Sequence, residues 1–289
     1  MNSAVSSWSG VPVFKVRRAL AARLRAAKIE DADIEVRHML RAILANGAAF
    51  ADPDACLDET AATQLETMVT RRERREPLSH ILGSWGFWSL DLAVSSDVLT
   101  PRPETERLVE LALGALGNDP CNILDLGIGT GAILFSLLSE RPLARGLGVD
   151  LSPGALKIAT TNAQALNLEE RVQFIEGPWE AALDMAPFDV LVSNPPYIAS
   201  AQISTLEPEV RAYEPMLALD GGADGLDAYR AIFPLIPRYL KPGGFFALEI
   251  GADQGRALFN LAQNQKNVYK IEIFQDLAGR DRVICGYSR

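Results

Sequence analysis

At 289 residues, with 48% hydrophobic and 22% charged side chains, the chain can form one large globular domain or two smaller ones, and it is neither disordered, collagenous nor low in complexity. A formal net charge of −9 argues against a protein whose main work is to grip phosphate backbones, and the sequence has no apolar run of the roughly eighteen residues that a membrane span needs. Three widely spaced cysteines, Cys56, Cys121 and Cys285, are odd in number and read as reduced, buried side chains of a cytoplasmic protein rather than as a disulfide scaffold.

The charge is unevenly spread. Residues 1–88 hold 12 Lys/Arg and 11 Asp/Glu, whereas residues 89–289 hold the remaining 16 and 26, so two units with different surfaces are expected. No acid occurs before Glu30. The basic, Ser-tipped start also fits a mitochondrial transit peptide, but Val16, Leu20, Leu24 and Ala27 at helical spacing favour an ordinary first helix after a flexible tail over residues 1–12. Helices are predicted at 13–28, 32–45 and 59–75, with Ile34, Met39, Leu40, Ile43 and Leu44 marking the second, and Leu65, Met68 and Val69 the third. Asp58 or Thr60 would cap the third helix. The basic run Arg71–Arg75 reads as a solvated helix end, favoured by the helix dipole, with a contact surface for an acidic partner or RNA as the alternative. Nothing here has catalytic spacing, so residues 1–83 read as a helical bundle that binds or orients something.

Residues 85–98 alternate aromatic and β-favouring side chains and predict a hairpin. It leads through Pro101-Arg102-Pro103-Glu104-Thr105-Glu106 into a helix at 104–116, so residues 84–103 read as hairpin and linker and residues 104–289 as a second domain. From residue 121 strands and helices alternate. Strands are expected at 122–126, 145–149, 171–176, 188–193, 244–250, 268–274 and 282–287, and helices at 130–140, 153–166, 225–240 and 253–264. This order predicts a Rossmann-like α/β fold: a seven-stranded, mostly parallel sheet with helices on both faces and an antiparallel hairpin at its edge.

The run Ile123-Leu124-Asp125-Leu126-Gly127-Ile128-Gly129-Thr130-Gly131 takes an apolar strand into a glycine-rich turn and a helix, which lets backbone approach a ligand closely. Its spacing is not that of a dinucleotide loop, and it carries no Lys for a triphosphate. Asp150, at the end of the next strand, is placed to accept hydrogen bonds from ribose hydroxyls, leaving Ser152 to cap the following helix. A nucleoside cofactor without phosphates fits, and S-adenosylmethionine is the common one.

Asn194-Pro195-Pro196-Tyr197 follows the fourth strand, where ligands bind in open α/β sheets. As local structure it is a turn. As chemistry it supplies what methylation of a planar nitrogen needs. The Asn194 side-chain carbonyl and the Pro195 backbone carbonyl can accept from the two N–H bonds of an amide or exocyclic amine and favour the positive charge growing there. Proline rigidity preorganises them, and Tyr197 offers a flat face to the substrate. No metal and no nucleophilic side chain is required.

With Glu76-Pro77-Leu78, His80–Gly83, Phe87–Leu90, Tyr213-Glu214-Pro215 and Asp276–Val283 added to these runs, the chain resembles, from about residue 13 onward, the PrmC/HemK protein-(glutamine-N5) methyltransferases. Those enzymes methylate the glutamine of the Gly-Gly-Gln motif of peptide chain release factors. The tetrad alone is shared with DNA adenine and RNA methyltransferases; its union with Pro-Arg-Pro-Glu-Thr-Glu and a helical N-terminal domain is far more specific. The resemblance implies that Gly127, Ile128, Gly129, Thr130, Gly131, Asp150, Trp179 and Asn194 contact S-adenosylmethionine. It further implies that Asn194, Pro195, Pro196 and Tyr197 hold the glutamine, and that the helical domain docks the release factor. A cytoplasmic monomer that binds neither membrane nor nucleic acid is expected. The sequence departs from the family at Pro178, where an acid usually precedes the tryptophan; Glu180 is a candidate to replace its contact. Two other readings are an adenine methyltransferase, which would need a basic channel, and a degenerate binding module, which the intact loop and tetrad disfavour.

Overall fold

Helical periodicity in the first eighty residues and strand–helix alternation after residue 120 produce two compact units in the computed structural model, which describes residues 8–44 and 55–289. One unit runs to Gly83 and takes in Pro208–Tyr213; the other holds Ser84–Glu207 and Glu214–Arg289. Among the described residues, no helix is long and apolar enough to cross a membrane.

The helical unit contains α1 (Val13–Ala26), α2 (Ala32–Ile43), α3 (Glu59–Glu73) and α4 (Leu78–Leu82). Val16, Leu20, Leu24, Val36, Met39, Leu40, Leu65 and Val69 recur at helical steps and are fully buried, whereas Ile34 faces solvent. The Asp58 carboxylate caps α3 by accepting from the Ala61 amide at 2.7 Å. Part of the expected N-terminal tail is pinned: the Trp8 indole donates to Glu66 at 2.8 Å and the Gly10 amide to the Leu57 carbonyl at 2.9 Å. The rest of that tail, residues 1–7, and the expected last residue of the second helix, residue 45, lie outside the described residues.

The basic run that ends α3 is only partly a solvated helix end: Arg74 is exposed, but Arg72 and Arg75 are paired with acids. Arg72 is only 6% exposed. Its guanidinium donates to Glu35 at 2.6 and 3.1 Å and to Glu209 at 2.8 Å, and Arg75 donates to the other Glu209 oxygen at 2.8 Å. A buried guanidinium is tolerated only when its charge is matched, and these two glutamates match it.

The second unit begins with a hairpin of β1 (Ser84–Phe87) and β2 (Leu90–Ala93), followed after a short 3-10 turn by α5 (Glu106–Ala115). The main sheet is built from β3 (Asn122–Leu126), β4 (Arg145–Asp150), β5 (Val172–Glu176), β6 (Phe188–Ser193), β7 (Leu240–Glu249), β8 (Val268–Gln275) and β9 (Asp281–Ser288). Its order is β5-β4-β3-β6-β7-β9-β8; only the pairings of β9 with β7 and with β8 are antiparallel. This is the expected Rossmann-like sheet with its antiparallel edge. Side chains alternate across it: Ile123, Val190, Val192 and Phe245 join α5, α6 (Ala132–Glu140) and α7 (Pro153–Ala165) on one face. The other face takes Leu124, Leu126, Leu191 and Phe246. There they meet the helices that follow α8 (Pro208–Tyr213), namely α9 (Asp227–Ile232), α10 (Ile236–Tyr239) and α11 (Gly255–Gln263).

The single helix expected over 225–240 is two, because Pro234 and Pro237 each remove a backbone donor and leave a 3-10 turn at Phe233–Leu235 between them. Of the three cysteines only Cys285 is buried; Cys121 is half-buried and Cys56 exposed, against the expectation for all three.

Candidate active site

The strand order reverses between β3 and β6, so connections leave the sheet in opposite directions there and open a crevice at the carboxyl ends of the strands. A cavity of about 450 Å³ occupies it. Gly127, Ile128, Gly129, Thr130, Asp150, Trp179, Asn194 and Pro196 line it together, and all were named from the sequence. Gly131, Pro195 and Tyr197 are not among the lining residues.

The glycine loop is fixed from behind. The amides of Gly127 and Ile128 donate to the Val149 carbonyl at 2.8 and 3.0 Å, and the Gly129 amide donates to Asp150 Oδ2 at 2.9 Å. Asp150 Oδ1 accepts from the Ser152 amide at 2.9 Å, while the Ser152 hydroxyl caps α7 through the Ala155 amide. Burial pushes the Asp150 carboxyl up, and the Ser152 and Gly129 amides oppose that shift. With one amide on each oxygen, the carboxylate keeps acceptor capacity for hydroxyl donors in the cavity. Asn162 of α7 buttresses the loop: its amide donates to the Thr130 carbonyl at 2.9 Å and exchanges two bonds with Ala93. Gly131 has a local task. Its φ is +84°, and a Cβ there would fall 2.1 Å from the Phe135 ring, so only glycine starts α6 this way.

Trp179 lies over the loop, held by Tyr239, whose hydroxyl donates to the Trp179 carbonyl at 2.5 Å. Pro178 lines the cavity; Glu180 is exposed and outside the lining. The whole lining contains four aspartates, Asp97, Asp150, Asp220 and Asp227, and no lysine, arginine or histidine. Such a wall suits a cationic, phosphate-free nucleoside and repels a polyphosphate. S-adenosylmethionine, with a sulfonium and an ammonium group, has that chemistry, so the residues present fit it.

The tetrad is clamped at both ends. Upstream, the buried Ser193 hydroxyl donates to the Leu126 carbonyl at 2.6 Å. Downstream, Gln254 Nε2 donates to the Tyr197 carbonyl at 2.9 Å, and Ile198 exchanges bonds with Leu219 and Gly221. Gly225, at φ +75°, lets its own chain approach so closely that a Cβ would sit 2.4 Å from the Tyr197 carbonyl oxygen. The half-buried Asn194 carboxamide bonds to no other group among the described residues, so both its ends are open to the cavity. Two wall segments are tied together by Arg102, which donates at 2.8 Å to both oxygens of the buried Glu214; Pro101 and Pro215 beside them line the cavity.

Three residues escaped the sequence reading. Gln254 is one. Thr105 was noticed only as part of a motif, yet it lines the cavity and donates to Glu249 Oε2 at 2.5 Å. Glu249, 1% exposed, ends β7; burial pushes its carboxyl up to about 7 despite the Thr105 bond and the nearby Arg282 charge. A glutamate closing the apolar run Phe245–Ile250 is the one signal that marks it.

The chain matches the family model described as a methyltransferase domain over residues 118–278 and that of the PrmC N-terminal domain over residues 15–83. Solved structures share the fold: the hMettl16 catalytic domain in complex with MAT2A 3′UTR hairpin 6 (TM-score 0.56, 15% identity, 78% of this chain and 81% of that one) is one. The T. thermophilus 16S rRNA N2 G1207 methyltransferase RsmC in complex with AdoMet and guanosine is another (TM-score 0.52, 20% identity, 71% and 50%). Fold and site together define an S-adenosylmethionine-dependent methyltransferase. Release factor glutamine methyltransferases are similar over nearly the whole length: that of Rhodospirillum rubrum is 46% identical over 271 residues, covering 92% of this chain and 82% of that protein. The one from Caulobacter vibrioides is 46% identical over 267 residues, covering 91% and 92%. The chain belongs to the PrmC/HemK release factor glutamine methyltransferase family.

Proposed function

We propose that this enzyme methylates the side-chain amide nitrogen of the glutamine in the Gly-Gly-Gln motif of peptide chain release factors, with Asn194 as the central residue. The observation that carries this reading is the Asn194 carboxamide, mounted at the end of β6, bonded to no other group among the described residues and facing a cavity that four aspartates line. Family membership supplies the substrate.

Bound S-adenosylmethionine supplies a methyl group activated by a sulfonium that departs as a neutral thioether. Gly127, Ile128, Gly129 and Thr130 would cradle it, Asp150 would accept from its ribose, and Trp179 would pack on its adenine. Asn194 Oδ1 accepts from one N–H of the substrate amide and the Pro195 carbonyl from the other. These two bonds orient the nitrogen and strengthen as positive charge develops on it, and the proton that the methylated amide no longer carries is lost to water. Tyr197 packs its ring on the amide plane, and Pro196 stiffens the turn. The helical bundle of residues 1–83 docks the release factor, residues 84–103 link, and residues 104–289 carry out the transfer.

Mass spectrometry of purified release factor after incubation with enzyme and cofactor should show one added methylene on that glutamine; labelled-methyl transfer to nucleic acid instead would overturn the substrate. Asn194→Ala should lower transfer by at least about 100-fold while calorimetry still shows cofactor binding. Near-normal transfer by that variant would refute the mechanism.

A further inference from the structure

Three sequence runs far apart in the chain converge on one buried carboxylate that belongs to none of them. Thr105, from the Pro-Arg-Pro-Glu-Thr-Glu run, donates to Glu249 Oε2 at 2.5 Å. Tyr197, from the tetrad, points its hydroxyl at Glu249 Oε1 at 3.4 Å. Arg282, from the run Asp276–Val283, lies 8% exposed with its positive charge acting on both Glu249 and Tyr197. Arg282 is held by Asp276 Oδ2 at 3.2 and 3.3 Å and by the Ile250 carbonyl at 3.4 Å. The hydroxyl of the buried Tyr229 donates to the Glu249 carbonyl at 2.7 Å, locking the end of the strand.

This cluster is costly for a structural ornament. An apolar residue ending β7 would pack without the penalty of burying a carboxylate. What the carboxylate adds is direction, because it can accept from Thr105 and Tyr197 at once. Tyr197 is then fixed at both extremities, its carbonyl by Gln254 and its hydroxyl by Glu249. A tyrosine held in this way has its ring axis fixed, and the ring is the surface offered to a planar amide.

We infer that Glu249 is a positioning residue, which sets the ring of Tyr197 for the substrate amide while Thr105 holds Glu249 itself. The inference rests on the reading of Tyr197 as a substrate-holding group. Packing of the ring is felt in the ground state and the transition state alike, so its loss raises KM more than it lowers kcat.

The test is a double-mutant cycle on the full-length enzyme with purified release factor. Glu249→Leu, which removes the acceptor, and Tyr197→Phe, which removes the donor, should each raise KM for release factor by about tenfold with kcat changed less than about threefold, and the dissociation constant for S-adenosylmethionine, measured by calorimetry, should stay within about twofold. The double variant should be no worse than the weaker single one, because both break the same contact. Multiplied effects in the double variant, a fall in kcat at unchanged KM, or loss of cofactor binding in Glu249→Leu would each overturn the inference. Should Glu249→Leu fail to fold, Tyr197→Phe alone carries the test, since an unchanged KM in that variant would overturn the inference. A wild-type enzyme that transfers no methyl to release factor would instead break the substrate reading, so the two failures are distinguishable.

Discussion

In the helical unit, charge comes in matched sets: the buried Arg72 sits between Glu35 and Glu209, and the half-buried Arg23 bonds both Glu66 and Glu73. In the sheet unit, Asp125 and Glu249 are buried without a cation among the described residues bonded to either, and burial pushes their carboxyls up to about 8 and about 7. The same residue types therefore have opposite protonation behaviour. Arg23 holds Glu66 below the usual carboxylate range, and Arg71 does so for Glu76. Paired charge lends definition to a bundle with few layers, while burial in the sheet unit shifts its acids towards the protonated form.

The strongest way to break this contrast is to unmatch a set. Arg72→Ala leaves the half-buried Glu35 without its cation and Glu209 with Arg75 alone, and should destabilise the helical unit by about 3–5 kcal/mol, read by hydrogen exchange of amides in residues 13–83. A loss below about 1 kcal/mol would mean that the cluster behaves as a surface pair.

Acidity should separate the units next. An acid whose folded carboxyl is raised stabilises fully below its unfolded value, about 3.9 for Asp and 4.3 for Glu, and loses that contribution as pH rises through its folded one. Asp125 and Glu249 should thus make the sheet unit less stable between about pH 4 and pH 8, and Asp125→Asn should flatten that slope. Glu66 and Glu76, being lowered, contribute above their unfolded value and lose that stability as pH falls through the folded one. The helical unit should therefore weaken on acidification. Urea midpoints at several pH values that move in the same direction for both units would contradict the comparison.

The smallest effects should be alike in the two units. Asp58→Ala and Ser152→Ala each remove one helix cap, and each should cost about 1 kcal/mol in urea denaturation. Unequal losses would show that the units differ in local helix stability as well as in charge.

Legibility followed the range of the interaction. The strands were readable because apolar runs of five or six residues alternate with helical periods, and the glycine loop, Asp150 and the tetrad were readable because each is a local run at a strand end. The break at Pro234 and Pro237 was written in the sequence and missed, since periodicity outweighed two absent donors. Glu209 and Gln254 were not readable, because their partners lie 137 and 57 residues away and nothing local marks a contact made only by folding; the acid in the apolar run Phe245–Ile250 was local, but its partner lies 144 residues away. Arg72 was misread for the same reason, because a basic helix end looks alike whether or not an acid arrives from elsewhere.

That arriving acid has a consequence for how the molecule is made. Glu209 belongs to the helical unit, but residues 84–207 are synthesised between Gly83 and Pro208–Tyr213. At about 5–20 residues per second, roughly 6–25 s pass on the ribosome before Arg72 can meet its second glutamate. The first unit begun is therefore not the first unit finished, and a nascent chain stalled before residue 208 should carry a bundle that is folded only in part.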